Sequence, residues 1–254
     1  MERPTSVEQW IRERPEVQAL ANKWQETLVE IARRLTRTPA HDHPSGADTL
    51  PSQIEQNSEQ AITRRHGKFG FLILSAPSGG GKRTVGSALE DFGFERLARY
   101  TTRSLRTEEV EGVDYHHVSR EAFLAMDKRG EFFPWVETHG ELRAISKKDF
   151  QELLTRRALF YVEGSVKAYD SFLQEPLVDA ANPLSLFLLP TDFPTLVSRL
   201  IGRGDTLEEP ELLERIAAGE AHLRKTLSSS YDGYVVNDDA LRAAKRIHAH
   251  LIRQ

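Results

Sequence analysis

The feature that most restricts how this chain can fold is an apolar run at residues 69–75 that breaks at once into a glycine-rich stretch. That stretch reads Ala76, Pro77, Ser78, Gly79, Gly80, Gly81, Lys82, Arg83, Thr84, and residues 85–92 then read as a helix. A buried strand running through glycines into a helix is the layout of a phosphate-binding loop. Successive backbone N–H groups and the positive end of the helix cradle phosphate oxygens, and the lysine adds a full charge. The G-x-x-x-x-G-K-[ST] spelling departs at two positions, Ala76 and Arg83. Residues 78–84 are therefore the candidate phosphate site, with Lys82 neutralising the β- and γ-phosphates. The Mg²⁺-ligating hydroxyl that ordinarily follows the lysine is replaced by Arg83, so either Thr84 takes that role or the metal is held through water and other groups.

Composition narrows the class without choosing a function. The 254 residues carry a formal net charge of −4, which gives no general attraction for nucleic acid or an anionic membrane. No apolar stretch approaches bilayer length, and residues 1–4 do not open a signal peptide. There is no cysteine, so neither disulfide nor thiolate chemistry is available. A cytoplasmic location is the expectation.

Three stretches differ in character. In residues 7–35, Val7, Trp10, Ile11, Val17, Leu20, Trp24, Leu28, Ile31 and Leu35 recur at helical spacing, predicting one amphipathic helix or two split near Pro15. Such a helix is marginal alone, so it is expected to pack on the main domain, on a second copy of the chain or on a protein partner. Residues 36–66 are polar and rich in His, Pro, Ser, Gln and Asn, and read as a linker expected to be mobile. His41, His43 and His66 there have no ligand spacing and read as solvated.

From residue 67 to 254, strands and helices alternate. Strand candidates are residues 70–75, 159–163, 184–189 and 234–236. Ser119, the pair Ser146 and Asp149, and the pair Thr206 and Glu209 are placed to cap helices. Short apolar runs between helices imply an α/β fold whose parallel sheet is covered on both faces, with ligands at the carboxyl ends of its strands.

Downstream of the loop lie Arg99, Tyr100, Thr101, Thr102, Arg103 and Arg106, then Glu109, Gly112, Asp114 and Tyr115. In this order, after this loop, the chain resembles the guanylate kinase family, collinearly over residues 69–254. The resemblance implies a P-loop kinase three-layer sandwich with a small acceptor-binding lobe and a helical lid. It implies ATP and Mg²⁺ as cofactors at Ser78, Gly79, Gly80, Gly81, Lys82, Arg83 and Thr84, with Asn237 on the adenine side. Arg103, Arg106 and Tyr115 would hold the acceptor phosphate, which suits the fixed fork of arginine donors. Arg203, in the segment from Arg199 to Gly204 that looks like the entry to the lid, and Arg215 on the lid helix would join Lys82 in stabilising the transferring phosphoryl group.

The family's guanine-reading residues are altered. Arg99 stands where the family has a serine, and Pro134 where it has a glutamate before Trp135. Leu142, Arg143, Ala144 and Ile145 replace a tyrosine-rich segment, and Tyr161, Val162 and Glu163 replace an Asp-Ile-Asp. Glu137 and Glu163 are alternative carboxylates, but one carboxylate does not rebuild a site made of paired hydrogen bonds. Several departures resemble ribose 1,5-bisphosphate phosphokinases instead: Lys82, Arg83, Thr84; Arg99 to Arg103; and Glu163, Gly164, Ser165. The leading expectation is an ATP-dependent phosphotransferase acting on a small phosphorylated acceptor, a nucleoside monophosphate or ribose 1,5-bisphosphate, with Glu163 orienting the acceptor or a metal-bound water. A non-catalytic module binding a phosphorylated ligand or peptide, and a genuine GMP kinase, remain as alternatives.

Overall fold

A computed structural model describes residues 6–35, 50–64, 68–106, 109–138, 140–164, 166–202 and 209–252. Three helices come first: α1 (Val7–Arg12), α2 (Pro15–Leu35) and α3 (Leu50–Thr63). The phosphate-loop unit follows as β1 (Leu72–Ser75) and α4 (Lys82–Glu90), then β2 (Glu95–Arg96), β3 (Arg99–Thr101), β4 (Tyr115–His117), α5 (Arg120–Lys128), β5 (Val136–Thr138) and β6 (Glu141–Ala144). The remainder is α6 (Lys147–Thr155), β7 (Phe160–Glu163), α7 (Tyr169–Leu173), α8 (Pro176–Ala180), β8 (Leu184–Pro190), α9 (Phe193–Ile201), α10 (Glu209–Lys225), β9 (Gly233–Asn237) and α11 (Ala240–Ile252).

The main sheet runs β2-β7-β1-β8-β9 and its paired strands are parallel. Every residue of β1, β8 and β9 is buried, as expected of a sheet covered on both faces. The period-2 alternation sorts its side chains between two layers. Leu72, Leu74, Leu184, Leu186, Leu188 and Val235 pack with Val85 and Leu89 of α4 and with Ala243, Ala244, Ile247 and Leu251 of α11. On the opposite face, Phe71, Ile73, Phe160 and Val162 meet α6, α7 and α8, while Phe187, Leu189 and Tyr234 meet α9 and α10. This is the three-layer α/β architecture expected from the sequence.

The second sheet, β4-β3-β6-β5, escapes the pattern reading, because its strands are three or four residues long and half exposed. One of its faces buries Leu142 and Ala144 against Phe123 and Phe132, with Tyr100 alongside. The other face, carrying Arg99, Thr101, Arg143 and Val136, is left toward the main sheet.

The N-terminal stretch splits at Pro15 as foreseen, with Ser6 capping α1. Trp10, Val17, Trp24, Leu28 and Ile31 are buried in this chain's own core, against Phe193, Leu196, Leu212 and Ile216 of α9 and α10. Arg14 also pairs with Glu209 at the start of α10, at 2.6 Å. The expectation of a linker over residues 36–66 is corrected in part. Residues 50–63 form α3, which lies on the exposed edge of β9. Ser58 Oγ accepts the Tyr234 N–H and Glu55 Oε1 accepts the Val236 N–H, each at 3.0 Å, so two edge donors of the strand are satisfied by side chains. Isolated apolar residues such as Ile54 and Ile62 suffice for this role, which is why hydrophobic periodicity is weak there. His41, His43 and His66 lie outside the described residues.

Among the described residues no helix is long and apolar enough to cross a membrane.

Candidate active site

The glycine-rich loop leaves β1 and turns into α4 at Lys82, three residues earlier than the sequence pattern suggests. Gly79 and Gly81 sit at φ +79° and +89°, where a side chain is strained, and both face packed neighbours. A Cβ on Gly81 would lie 2.1 Å from Asn237 Nδ2, and one on Gly80 2.7 Å from Ala76 Cβ. The Gly80 N–H donates to Pro77 O at 3.0 Å, and Lys82 Nζ donates to Ala76 O at 2.8 Å across the loop. The lysine is thus folded over a backbone arch at a helix N-terminus, the geometry that suits phosphate oxygens. Arg83 and Thr84 are exposed on the first turn of α4.

Asn237, expected beside adenine, is 3% exposed and its amide donates to Gly80 O at 2.9 Å. It ties the end of β9 to the loop, so its side chain shapes the cradle from behind. Arg199 was not assigned a role from sequence, yet it completes this corner. Its Nη2 donates to Asn237 O at 2.8 Å, while its buried Nη1 has no hydrogen-bond partner and lies 3.8 Å from the Cβ position of Gly81. A sequence signal for it is that Arg199 is the single charged residue of helix α9. An unspent buried donor beside a glycine cradle fits an anionic ligand such as a nucleotide phosphate. Thr84, on the first turn of α4, is the hydroxyl that would face a magnesium ion carried in with the nucleotide phosphates.

Burial, with Lys82 and Lys167 nearby, pushes the His222 imidazole on α10 down to about 4. Near neutral pH it is uncharged beside the loop lysine, and sequence gave no sign of this because the two are 140 positions apart.

In the small sheet, the strand pairs Arg99↔Tyr115 and Thr101↔His117 place Tyr115 next to the arginines. Arg99 Nη2 donates to the Tyr115 hydroxyl at 2.9 Å and to Glu163 Oε2 at 3.2 Å. Burial opposes the charge on Arg99, but Tyr115 and Glu163 hold its pKa above the usual arginine value. Arg103 lies over the Tyr115 ring at 5.4 Å and binds both oxygens of Glu109, at 2.6 and 2.7 Å. Despite burial, this arginine and the Arg106 N–H keep the Glu109 carboxyl below the usual range. The Arg106 side chain is exposed. Arg96, unremarked in the sequence, anchors the loop before Tyr115 by pairing with Asp114 at 2.8 Å.

Arg99, Pro134, Val136, Arg143, Ile145 and Glu163 line one cleft between the small sheet and the main sheet. Residues that depart from the family spelling therefore converge on one place. Glu163 ends β7 beside Leu74 of β1, which puts the cleft next to the strand that feeds the phosphate loop. Glu137 does not enter it. It is cross-strand from Leu142, on the sheet face opposite Val136, and pairs with Arg120 at 3.2 Å. Arg215 pairs with Glu211 on its own helix at 2.8 Å. Arg203, Ser165 and Thr206 lie outside the described residues.

Known proteins agree with this architecture. The guanylate kinase family pattern matches residues 69–254, leaving α1–α3 outside the match. A guanylate kinase of Chelativorans sp. is 33% identical over 200 residues, covering 77% of this chain and 87% of that protein. One from Nitratidesulfovibrio vulgaris is 35% identical over 189 residues, covering 72% of this chain and 86% of that one. The crystal structure of guanylate kinase from Anaplasma phagocytophilum shares the fold, with a TM-score of 0.55 at 24% identity, covering 73% of this chain and 84% of that chain. From its phosphate loop through its last helix, this chain belongs to the guanylate kinase family and is a kinase of the ATP-dependent phosphotransferase class.

Proposed function

We propose that the protein transfers the γ-phosphoryl group of Mg·ATP to a small phosphorylated acceptor, with a recognition cleft altered from guanine reading. Residues 78–84 and Lys82 would hold the donor phosphates, backed by Asn237 and Arg199. Arg103, Arg106 and Tyr115 would hold the acceptor phosphate, with Glu163 setting its orientation through Arg99. Arg203 and Arg215 would neutralise charge on the transferring group. Little else is required, since this chemistry is mainly positioning and charge stabilisation.

The observation that carries the reading is the pairing of two anion sites across one strand end. The cradle formed by Gly79 and Gly81 follows β1, and Glu163, beside Leu74 of β1, bonds the Arg99–Tyr115 pair of the acceptor lobe. GMP as acceptor is supported by the name shared by the relatives. Against it stand Pro134 and Val136 in the cleft wall, which offer a guanine ring no side-chain acceptor.

The test is ADP release from Mg·ATP by the full chain, offered GMP, dGMP, other nucleoside monophosphates and ribose 1,5-bisphosphate. The expected result is turnover with one of them, reduced at least about 100-fold by Lys82→Ala while the melting curve is kept. Turnover that survives Lys82→Ala, or no ATP binding at all, rejects the proposal. The second outcome favours a module that binds a phosphorylated ligand.

A further inference from the structure

The last strand of the main sheet ends beside the phosphate loop, and residues 236–238 are gripped there from two sides. Asn237 faces inward: its amide donates to Gly80 O at 2.9 Å, and its carbonyl accepts from Arg199 Nη2 at 2.8 Å. Val236, one position earlier, turns both backbone groups to the outer edge of β9. Its N–H donates to Glu55 Oε1 of α3 at 3.0 Å, and its carbonyl accepts from Arg246 Nη2 of α11. Arg246 Nε lies 3.1 Å from the same Glu55 oxygen, and Arg246 Nη2 donates to Asp238 Oδ1 at 2.8 Å. Glu55, Arg246 and Asp238 thus form one chain of charges around the strand end.

An edge strand is paired on one side only, so whatever meets its outer groups decides how firmly it lies. Helix α3 is itself well fixed. Ile54 is buried in the cluster that holds Leu189 and Tyr234, and Ile62 is buried with Leu186 and Val235. From this footing α3 reaches β9 twice, Ser58 to the Tyr234 N–H and Glu55 to the Val236 N–H. Only the second tether adjoins the residue that walls the glycine cradle. A Cβ on Gly81 would lie 2.1 Å from Asn237 Nδ2, so a small shift of Asn237 reshapes the cradle. Binding geometries of this kind must be held to within about 0.5 Å. The family pattern begins at residue 69, so this support comes from outside it.

We propose that Glu55 is a positioning residue for the donor-nucleotide site. Through Val236 and Arg246 it fixes the Asn237 end of β9 against the phosphate loop, which makes α3 a part of nucleotide binding as well as of the core. The inference rests on the reading of residues 78–84 as the ATP site, and it concerns ATP affinity, not the choice of acceptor.

The test is calorimetric titration of the full chain with Mg·ATP, at a temperature where melting curves show every variant folded. Glu55→Ala is expected to weaken ATP binding about fivefold or more. Glu55→Gln keeps an oxygen for the Val236 N–H and is expected to stay within about threefold of wild type. Ser58→Ala controls for stability alone. It removes the neighbouring tether at Tyr234 and is expected to leave ATP affinity within about twofold. Arg246→Gln releases Val236 O and Asp238 but leaves the Val236 N–H bonded. It is expected to weaken ATP about threefold or more, and it decides the matter should Glu55→Ala not fold. Unchanged ATP affinity in Glu55→Ala or Arg246→Gln, an equal loss in Ser58→Ala, or no rescue by Glu55→Gln overturns the proposal. A wild-type chain that does not bind ATP rejects the phosphate-site reading itself, and this inference with it.

Discussion

At the scale of single residues, the phosphate loop tolerates little because its backbone already uses the space. Gly81 combines φ +89° with a virtual Cβ 2.1 Å from Asn237 Nδ2. Gly81→Ala should lower stability by about 1–3 kcal/mol and abolish nucleotide binding, read by urea unfolding and by titration with a fluorescent ATP analogue. His222 gives a second prediction at this scale. Its pKa is lowered from 6.5 to about 4, first by burial and then by Lys82 and Lys167, so the folded chain binds fewer protons than the unfolded chain between those values. Its contribution to stability is present above the unfolded pKa and is lost as pH falls through that window. Between about pH 7 and about pH 5, wild type should lose about 1–2 kcal/mol more than His222→Gln. Parallel denaturant curves for the two proteins at both pH values would refute this.

At the scale of elements, α3 does for β9 what another strand would otherwise do. Ser58 and Glu55 accept the outward N–H groups of Tyr234 and Val236, and Gly233 leaves room for the helix, since a Cβ there would come within 2.9 Å of Ile62 and Ser58. Ser58→Ala strands a buried donor and should cost about 1–3 kcal/mol. Glu55→Gln keeps an acceptor oxygen. Burial raises the Glu55 pKa against the pull of Arg246, and Arg246 keeps Asp238 at 2.8 Å, so this change should cost about 1 kcal/mol or less. Equal losses for the two variants, measured by chemical denaturation, would contradict the assignment of each bond.

At the scale of the molecule, helices α1, α2 and α3 share a core with the kinase domain. Trp24 is 2% exposed and meets Phe193 at 5.9 Å between ring centres, and Leu28, Ile31 and Ile54 join the cluster that holds Leu212, Ile216 and Leu223 of α10. Removing residues 1–64 uncovers that face and the β9 edge together. The shortened chain is expected to melt roughly 10 °C lower or more, and to associate at micromolar concentration. An unchanged melting temperature and a monomeric profile in light scattering would show that the extension is dispensable.

Local chemistry explains what could be read along the chain. The glycines of the phosphate loop, Lys82, the break at Pro15 and the caps Ser119 and Ser146 act through backbone conformation within a few residues, so their effect is written where they stand. The buried strands were legible because a sheet covered on both faces demands uninterrupted apolar runs. The small sheet was not, since its short, half-exposed strands are stabilised by pairing with partners up to about 40 positions away. Register then settled the fate of individual charges. One pleat step sends Val136 and Arg143 to the cleft and Glu137 to the far face, where Arg120 takes it. Likewise the polar stretch that became α3 carries its information in Glu55 and Ser58, whose partners are backbone groups about 180 residues on. Sequence spacing reports interactions that repeat along one segment; contacts between segments exist only once topology has brought them to the same edge or cleft.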